Sequence, residues 1–124
     1  MLPKQYRFMV ENQSNAAVSV SFTVTPSKFD SQNAREYGTQ QEPTPVTALA
    51  NASFGESGAV DNRTTLMAEA EVKIEAVGTG ALDCYVYLQR SEDGTTWPTE
   101  PGEPLVTFTD FATTGTQSAV VNIA

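Results

Sequence analysis

The side chains that could perform chemistry in this sequence are carboxylates, because the chain has no histidine and a single cysteine, Cys84. Without an imidazole, neither a nucleophile–histidine pair nor a histidine metal site can be assembled. Paired carboxylates occur at Glu69/Glu71 and Glu92/Asp93, and two carboxyl groups are what glycoside hydrolysis requires. Their spacing does not select one pair. The sequence therefore predicts no catalytic, metal or cofactor-binding residue, and we expect a protein that binds rather than catalyses.

The remaining chemical candidates have structural interpretations. Cys84 lies in a hydrophobic strand pattern, which predicts a buried, inert thiol. Glu69, Glu71 and Glu75 fall on one face of a predicted strand, and we expect them to form a solvated rim that discourages pairing between sheet edges.

The stretch from Ser91 to Pro98, SEDGTTWP, resembles the Asp-box turn of some β proteins, with one residue fewer between Asp93 and Gly94. We expect the Asp93 carboxylate to accept hydrogen bonds from nearby backbone N–H groups and Gly94 to take a positive φ. Trp97 would then pack over the turn. The predicted role is structural, and a sugar-stacking tryptophan or a calcium site is the alternative.

Aromatic side chains form the other candidate site. Tyr85 and Tyr87 are two residues apart and so share one face of a predicted strand, with Trp97 in the following loop. Such a platform could stack on a sugar, but the same residue types are enriched in protein–protein interfaces. We favour the interface.

These residues must be positioned by strands, because apolar and polar residues alternate with a period of two. Val18, Val20, Phe22 and Val24 alternate with hydroxyl residues, which predicts a half-buried strand. Residues 64–77 show the same alternation, although their composition also suits a helix. Three groups of residues are predicted to face inward: Leu66, Ala68, Ala70, Val72, Ile74 and Ala76; Leu82, Cys84, Val86 and Leu88; and Ala119, Val121 and Ile123.

The predicted fold class is all-β, an antiparallel β-sandwich of the Ig-like or jelly-roll-like kind, with a small barrel as the alternative. Residues 64–77 and 81–90 are separated by Gly78-Thr79-Gly80 and are predicted to form a long hairpin. Shorter strands are expected around Phe8, in residues 105–111 and in residues 117–123. Together these make about six strands joined by short turns, with no amphipathic helix of normal length.

One segment, residues 26–63, interrupts this pattern. It is rich in polar residues, proline and glycine, and also carries apolar residues such as Phe29, Tyr37 and Phe54. We expect a single domain over residues 1–124 in which this segment is a long irregular excursion. It is predicted to be an arm ordered against a partner subunit or a pair of irregular strands that extend one sheet, with disorder as the alternative. Residues 30–37 are predicted to form a short helical turn.

Composition restricts the partners. Seven basic and fifteen acidic residues give a net charge of −8, which argues against direct binding to nucleic acid or to an anionic membrane. The first 14 residues lack the apolar stretch of a signal peptide, so we expect synthesis in a cytoplasm without export by a cleaved signal. Three glycosylation sequons, at Asn12, Asn51 and Asn62, are interpreted as chance matches.

Residues 85–108, YVYLQRSEDGTTWPTEPGEPLVTF, resemble a recurrent pattern of small virion proteins of tailed bacteriophages, in which a strand of the form YLxRSxDGxTW leads through a Pro/Gly loop into another strand. The resemblance implies a β-sandwich component of the virion, assembled in the host cytoplasm. A capsid decoration (cement) protein is the first expectation. It would be a homo-oligomer without a cofactor that bridges subunits of the major capsid protein.

Two alternatives stay open, a head–tail connector or tail/fibre accessory protein and a carbohydrate-binding module. Contact with the partner, the major capsid protein or another virion protein, is expected through the N-terminal segment, the excursion and the aromatic platform. The residues concerned are Tyr6, Phe8, Phe29, Tyr37, Phe54, Tyr85, Tyr87 and Trp97.

Overall fold

The computed structural model describes residues 2–99 and 102–124, and in these residues the chain forms ten strands and no helix. The strands are β1 Gln5–Gln13, β2 Val18–Phe29, β3 Arg35–Tyr37, β4 Val46–Leu49, β5 Ser53–Glu56, β6 Val60–Asp61, β7 Glu69–Gly78, β8 Asp83–Ser91, β9 Val106–Thr109 and β10 Thr116–Ile123. They make two antiparallel sheets packed against each other, so the predicted all-β sandwich is confirmed.

The chain crosses between the two sheets several times. Sheet A has the strand order β5-β1-β8-β9, with β6 also paired to β1, and sheet B has the order β10-β7-β2-β3, with β4 also paired to β2. The predicted hairpin of residues 64–77 with residues 81–90 is wrong, because β7 and β8 lie in different sheets. Alternation identifies the apolar face of each strand but not its neighbour. A tight hairpin and a connection that crosses between the sheets therefore look alike in sequence.

The core lies between the sheets and is made of the inward residues of each strand. Val18, Val20, Phe22 and Val24 are buried as predicted, and Phe8 of sheet A stacks on Phe22 of sheet B with 4.6 Å between ring centroids. In β7 the buried residues are Ala70, Val72, Ile74 and Ala76, as expected. Small alanines at both ends of this strand leave room for the facing sheet.

Two predicted core leucines are exposed instead. Leu66 lies in a turn before β7 with a φ of 50°, and Leu82 lies in the connection before β8. Both strands begin later than the alternation predicted, because turns occupy the flanking residues. The alternating pattern thus extends to Leu66 and Leu82, although both residues lie before the strand begins.

Residues 26–63 hold the end of β2 and four short strands, β3 to β6. Strands β3 and β4 extend sheet B beside β2, and β5 and β6 extend sheet A beside β1. The helical turn predicted for residues 30–37 is wrong, because this stretch is a hairpin between β2 and β3. The Asp30 carboxylate accepts hydrogen bonds from the N–H groups of Gln32 and Ala34, and Asn33 takes a φ of 64°, which stabilises a turn rather than a helix.

Two connections between the sheets meet at one end of the sandwich. Ser14 follows β1 and Gly80 follows β7, and a Cβ placed on Gly80 would lie 2.0 Å from the Ser14 carbonyl oxygen. Asn12 is buried beside them. Its Nδ2 donates to the carbonyls of Ala16 and Leu49, and its Oδ1 accepts from the Ser14 N–H and hydroxyl. Close backbone contact thus fixes how the chain passes between the sheets.

Candidate binding surfaces

Part of the outer face of sheet A is covered by Trp97 and Pro98, which lie in the loop that follows β8. The guanidinium carbon of Arg7, on β1, lies 4.2 Å from the centroid of the Trp97 ring. Gln89 Nε2, on β8, donates to the Pro98 carbonyl at 3.1 Å. Arg7 Nε also donates to Gln89 Oε1 at 2.8 Å. One face of Trp97 is therefore occupied by a cation of the same chain.

The turn that begins this loop has the predicted capped geometry. Asp93 Oδ1 accepts from the N–H groups of Thr95 and Thr96 at 2.9 and 2.7 Å, and Oδ2 accepts from the Thr96 hydroxyl. Gly94 has a φ of 79°. Hydrogen bonds donated to the ionised carboxylate hold the pKa of Asp93 well below its usual range, and the Thr96 N–H makes the largest contribution. The carboxylate is satisfied by the turn itself, which is a structural role.

Tyr85 and Tyr87 lie on one face, as predicted, with 6.4 Å between their ring centroids. The Tyr87 side chain is only 7% exposed, and its hydroxyl donates to Glu11 Oε1 at 2.9 Å. Burial, followed by this acidic acceptor, raises the pKa of Tyr87 to about 12. The Tyr85 hydroxyl donates to Asp83 Oδ2 at 3.1 Å. Tyr85 is thus the more accessible of the two.

Strand register adds Phe54 to the surface formed by Tyr85 and Tyr87. Glu11 of β1 lies opposite Phe54 of β5 on one side and opposite Tyr85 of β8 on the other. Residues directly opposite one another in an antiparallel pair share a face, so these three form one row across sheet A. We call it the Phe54–Tyr85 row. Glu11 and Asp83 were not predicted to belong to this surface, although each is a polar residue at an outward position of an alternating strand.

A second aromatic group lies on the hairpin between β2 and β3. Phe29 and Tyr37 are 54% and 67% exposed, and Arg35 lies directly opposite Phe29 and two residues before Tyr37 on the same strand face. The Arg35 guanidinium carbon is 4.9 Å from the Phe29 ring centroid, and the same side chain forms an ion pair with Glu69 and donates to Ser27 Oγ. Its contacts connect β3 with β2 and β7 of sheet B, beside a hollow of about 350 Å³. We call Phe29, Arg35 and Tyr37 the hairpin patch.

The other predicted contact residues lie elsewhere. Tyr6 and Phe8, expected at a partner surface, are core residues with 1% and 0% exposure, so this part of the prediction is wrong. Alternating β1 residues face the core, and both aromatics are on that side. Burial raises the pKa of Tyr6 to about 12. The glutamates expected to guard an edge are on β7, which is an internal strand between β10 and β2.

The groups that could do chemistry are dispersed or enclosed. Cys84 is buried as predicted, and burial raises the pKa of its thiol to about 12, with the Glu11 carboxylate a smaller cause. In residues 2–99 and 102–124 no three acidic or cysteine side chains are grouped so that they could hold a metal ion. The same residues contain no helix able to cross a membrane.

Comparisons with known proteins do not connect the chain to a family. No protein-family model, curated protein or solved structure matches it. Functional inference therefore depends on the surfaces described above and on the resemblance carried by residues 85–108.

Proposed function

We propose that this chain is a structural protein of a tailed-bacteriophage particle, a capsid decoration protein that binds the outer surface of the head and bridges subunits of the major capsid protein. The observation that carries the proposal is the hairpin patch, in which Phe29 and Tyr37 are exposed on a hairpin held by Arg35. Aromatic and arginine side chains are the types enriched at the centres of protein–protein interfaces. The resemblance of residues 85–108 to small virion proteins supplies the kind of particle.

The mechanism is passive. Covering a large apolar side chain on binding contributes about 1.5–3 kcal/mol, and each bridge between capsid subunits adds that contribution to the free energy needed to separate them. Phe29 lies two residues beyond Ser27, the last residue of β2 that pairs with β7, and Tyr37 lies opposite Ser27. Both rings are exposed at this end of sheet B, where a groove on a partner can receive them. Net charge of −8 favours a protein surface over nucleic acid as the partner.

The test uses phage heads from which this protein has been deleted. We expect the purified wild-type protein to co-sediment with such heads and to restore their resistance to heat and osmotic shock, and the F29A/Y37A double variant to lose most of both effects. L82A is the matched control, because Leu82 is an exposed apolar residue outside the patch. Equal binding by F29A/Y37A, or equal resistance of heads with and without the protein, contradicts the proposal. Copy number per particle separates the head, with many copies, from a neck or tail ring.

A second candidate function, carbohydrate binding, is favoured by the Phe54–Tyr85 row. Two accessible aromatic rings flank the Glu11 carboxylate across adjacent strands, with Asp83 next to Tyr85, and such an arrangement can stack on a sugar ring and accept its hydroxyl hydrogen bonds. On a glycan array, F54A and Y85A are then expected to lose binding while W97A, whose ring contacts Arg7, keeps it. An array without any bound glycan excludes this candidate.

A further inference from the structure

The edges of the two sheets are unequal. In the part of the chain that the structure describes, sheet A ends in strands of two to four residues, β5, β6 and β9, and one side of sheet B ends in β3 and β4, of three and four residues. The other side of sheet B ends in β10, which has eight residues, Thr116–Ile123. Short edge strands offer few unpaired backbone groups to another chain, whereas β10 offers a full row.

Strand β10 also lacks the residues that usually protect an edge. Its sequence, TQSAVVNI, contains no charged residue and no proline. Val120, near its centre, is 60% exposed, and Ala119 and Val121 on the inward side are only half-buried at the rim of the core. The contact with β9 is at the start of the strand, where Gln117 Nε2 donates to the Thr109 carbonyl. From Ser118 onward the edge can accept another strand.

We propose that β10 pairs in antiparallel fashion with β10 of a second copy of this chain about a twofold axis at Val120. The pairing joins two five-stranded sheets into one continuous sheet across the dimer.

Self-pairing fits because the strand is complementary to itself. Opposite residues in an antiparallel pair share a face. The twofold axis must therefore pass between one residue and its own copy in the second chain, so that this residue pairs with itself. With the axis at Val120, this side chain meets its own copy and Ser118 faces Asn122 on the outer side. On the inner side, Ala119 faces Val121, so that each half-buried pair completes the rim of the core. Apolar residues meet apolar residues, and polar residues meet polar ones.

The contact strand does not add to the electrostatic repulsion between two copies. Two molecules with a net charge of −8 repel each other, and the contact strand is uncharged, so no like charges are brought together within the interface. A twofold contact between identical edges is closed, which stops assembly at a dimer. The pairing does not depend on the virion role, since it is a property of the purified chain.

The test compares two charge substitutions by sedimentation velocity over a range of concentrations. Wild type is expected to dimerise, and V120E to raise the dimer dissociation constant by at least about tenfold, because two carboxylates then face each other across the axis. Within each chain Val120 lies opposite Lys73, so the new glutamate has an opposite charge beside it and the fold is retained. V77E is the matched control. Val77 is exposed on the same outer face but on the internal strand β7, so V77E is expected to dimerise as wild type does.

Cysteine cross-linking provides a second, independent test. V120C is expected to give a covalent dimer with a short thiol-to-thiol cross-linker, because opposite Cβ atoms in a strand pair lie about 4.5–5.5 Å apart. S118C, at an exposed position that faces Asn122 rather than itself, is expected to cross-link far less, and the buried Cys84 does not compete. A monomeric wild type, a dimer insensitive to V120E, or equal cross-linking of V120C and S118C each overturns the proposal. A chain that stays monomeric and instead binds a strand of another virion protein through β10 also contradicts the proposed pairing with a second copy.

Discussion

Two buried asparagine side chains, Asn12 and Asn62, connect segments that the sheets alone do not join. Asn62 Oδ1 accepts from the Met67 N–H at 2.7 Å and from the Thr65 hydroxyl at 3.2 Å. Its Nδ2 donates to the carbonyls of Met67 and Pro3. A buried polar side chain that makes all its hydrogen bonds stabilises the fold. If the side chain is removed, its hydrogen-bonding partners stay buried without a partner, and the fold is destabilised.

Replacing Asn62 by alanine is therefore expected to lower the free energy of unfolding by about 2–3 kcal/mol, because buried N–H and C=O groups lose their partners. Urea denaturation followed by Trp97 fluorescence measures the change. Asn51→Ala is the matched control, since Asn51 is exposed and its oxygen accepts one exposed hydrogen bond from the Asn15 N–H. A loss no larger than that of the control contradicts the expected role of Asn62.

The pH dependence of stability at the Asp93 turn follows from the sign of its pKa shift. The pKa of Asp93 is lower in the folded protein than in the unfolded chain, so its contribution to stability is present above about pH 4. That contribution is lost as the pH falls through the folded-state pKa. D93N keeps an oxygen acceptor but has no charge, and we expect its melting temperature to fall less steeply than that of wild type below pH 4. Parallel pH profiles for the two proteins argue against this assignment.

At the scale of elements, the contact between Ser14 and Gly80 decides whether the connections after β1 and β7 can pass each other. An added Cβ on Gly80 meets backbone atoms, which cannot rotate away as a side chain can. G80A is expected to lower stability by about 1–3 kcal/mol through this overpacking. G102A is the control, because a Cβ there meets nothing within 4 Å. Denaturation midpoints of the two variants that match within error contradict the predicted clash.

Strand positions could be predicted from sequence where the alternation is long. In β2 and β7 the polar and apolar faces are those that the sequence indicates, because each strand has one face in the core. The partners of the strands could not be predicted, since β7 and β8 have the same pattern whether they form a hairpin or cross between sheets. Strands β3 to β6 have two to four residues, too few for a period of two to be visible.

The candidate sites were predictable in part for the same reason. The shared face of Tyr85 and Tyr87 follows from spacing along one strand. Their association with Glu11 and Phe54 depends on the register between strands that are distant in the chain. Tyr6 and Phe8 were predicted at a partner surface but are buried, because aromatic type alone does not distinguish a core residue from an interface residue.

On the scale of the whole molecule, nearly every strand pair joins distant parts of the chain. Strand β1 pairs with β8 through partners as far apart as Gln5 and Ser91, and β2 pairs with β7 through partners as far apart as Val18 and Gly78. Such non-local topology slows folding because long loops must close before contacts form. We expect refolding on a time scale of milliseconds to seconds, measured by stopped-flow Trp97 fluorescence. Complete refolding within microseconds contradicts this expectation.

The buried amides of Asn12 and Asn62 also determine where the protein can be produced. Both are N-glycosylation acceptors by sequence, and both have their amide nitrogens enclosed by carbonyl partners. In the secretory pathway of a eukaryotic host, a glycan attached to either residue before folding would be too large for its site and would trap the chain unfolded. Asn51, on an exposed turn, is the sequon at which a folded domain can carry sugar.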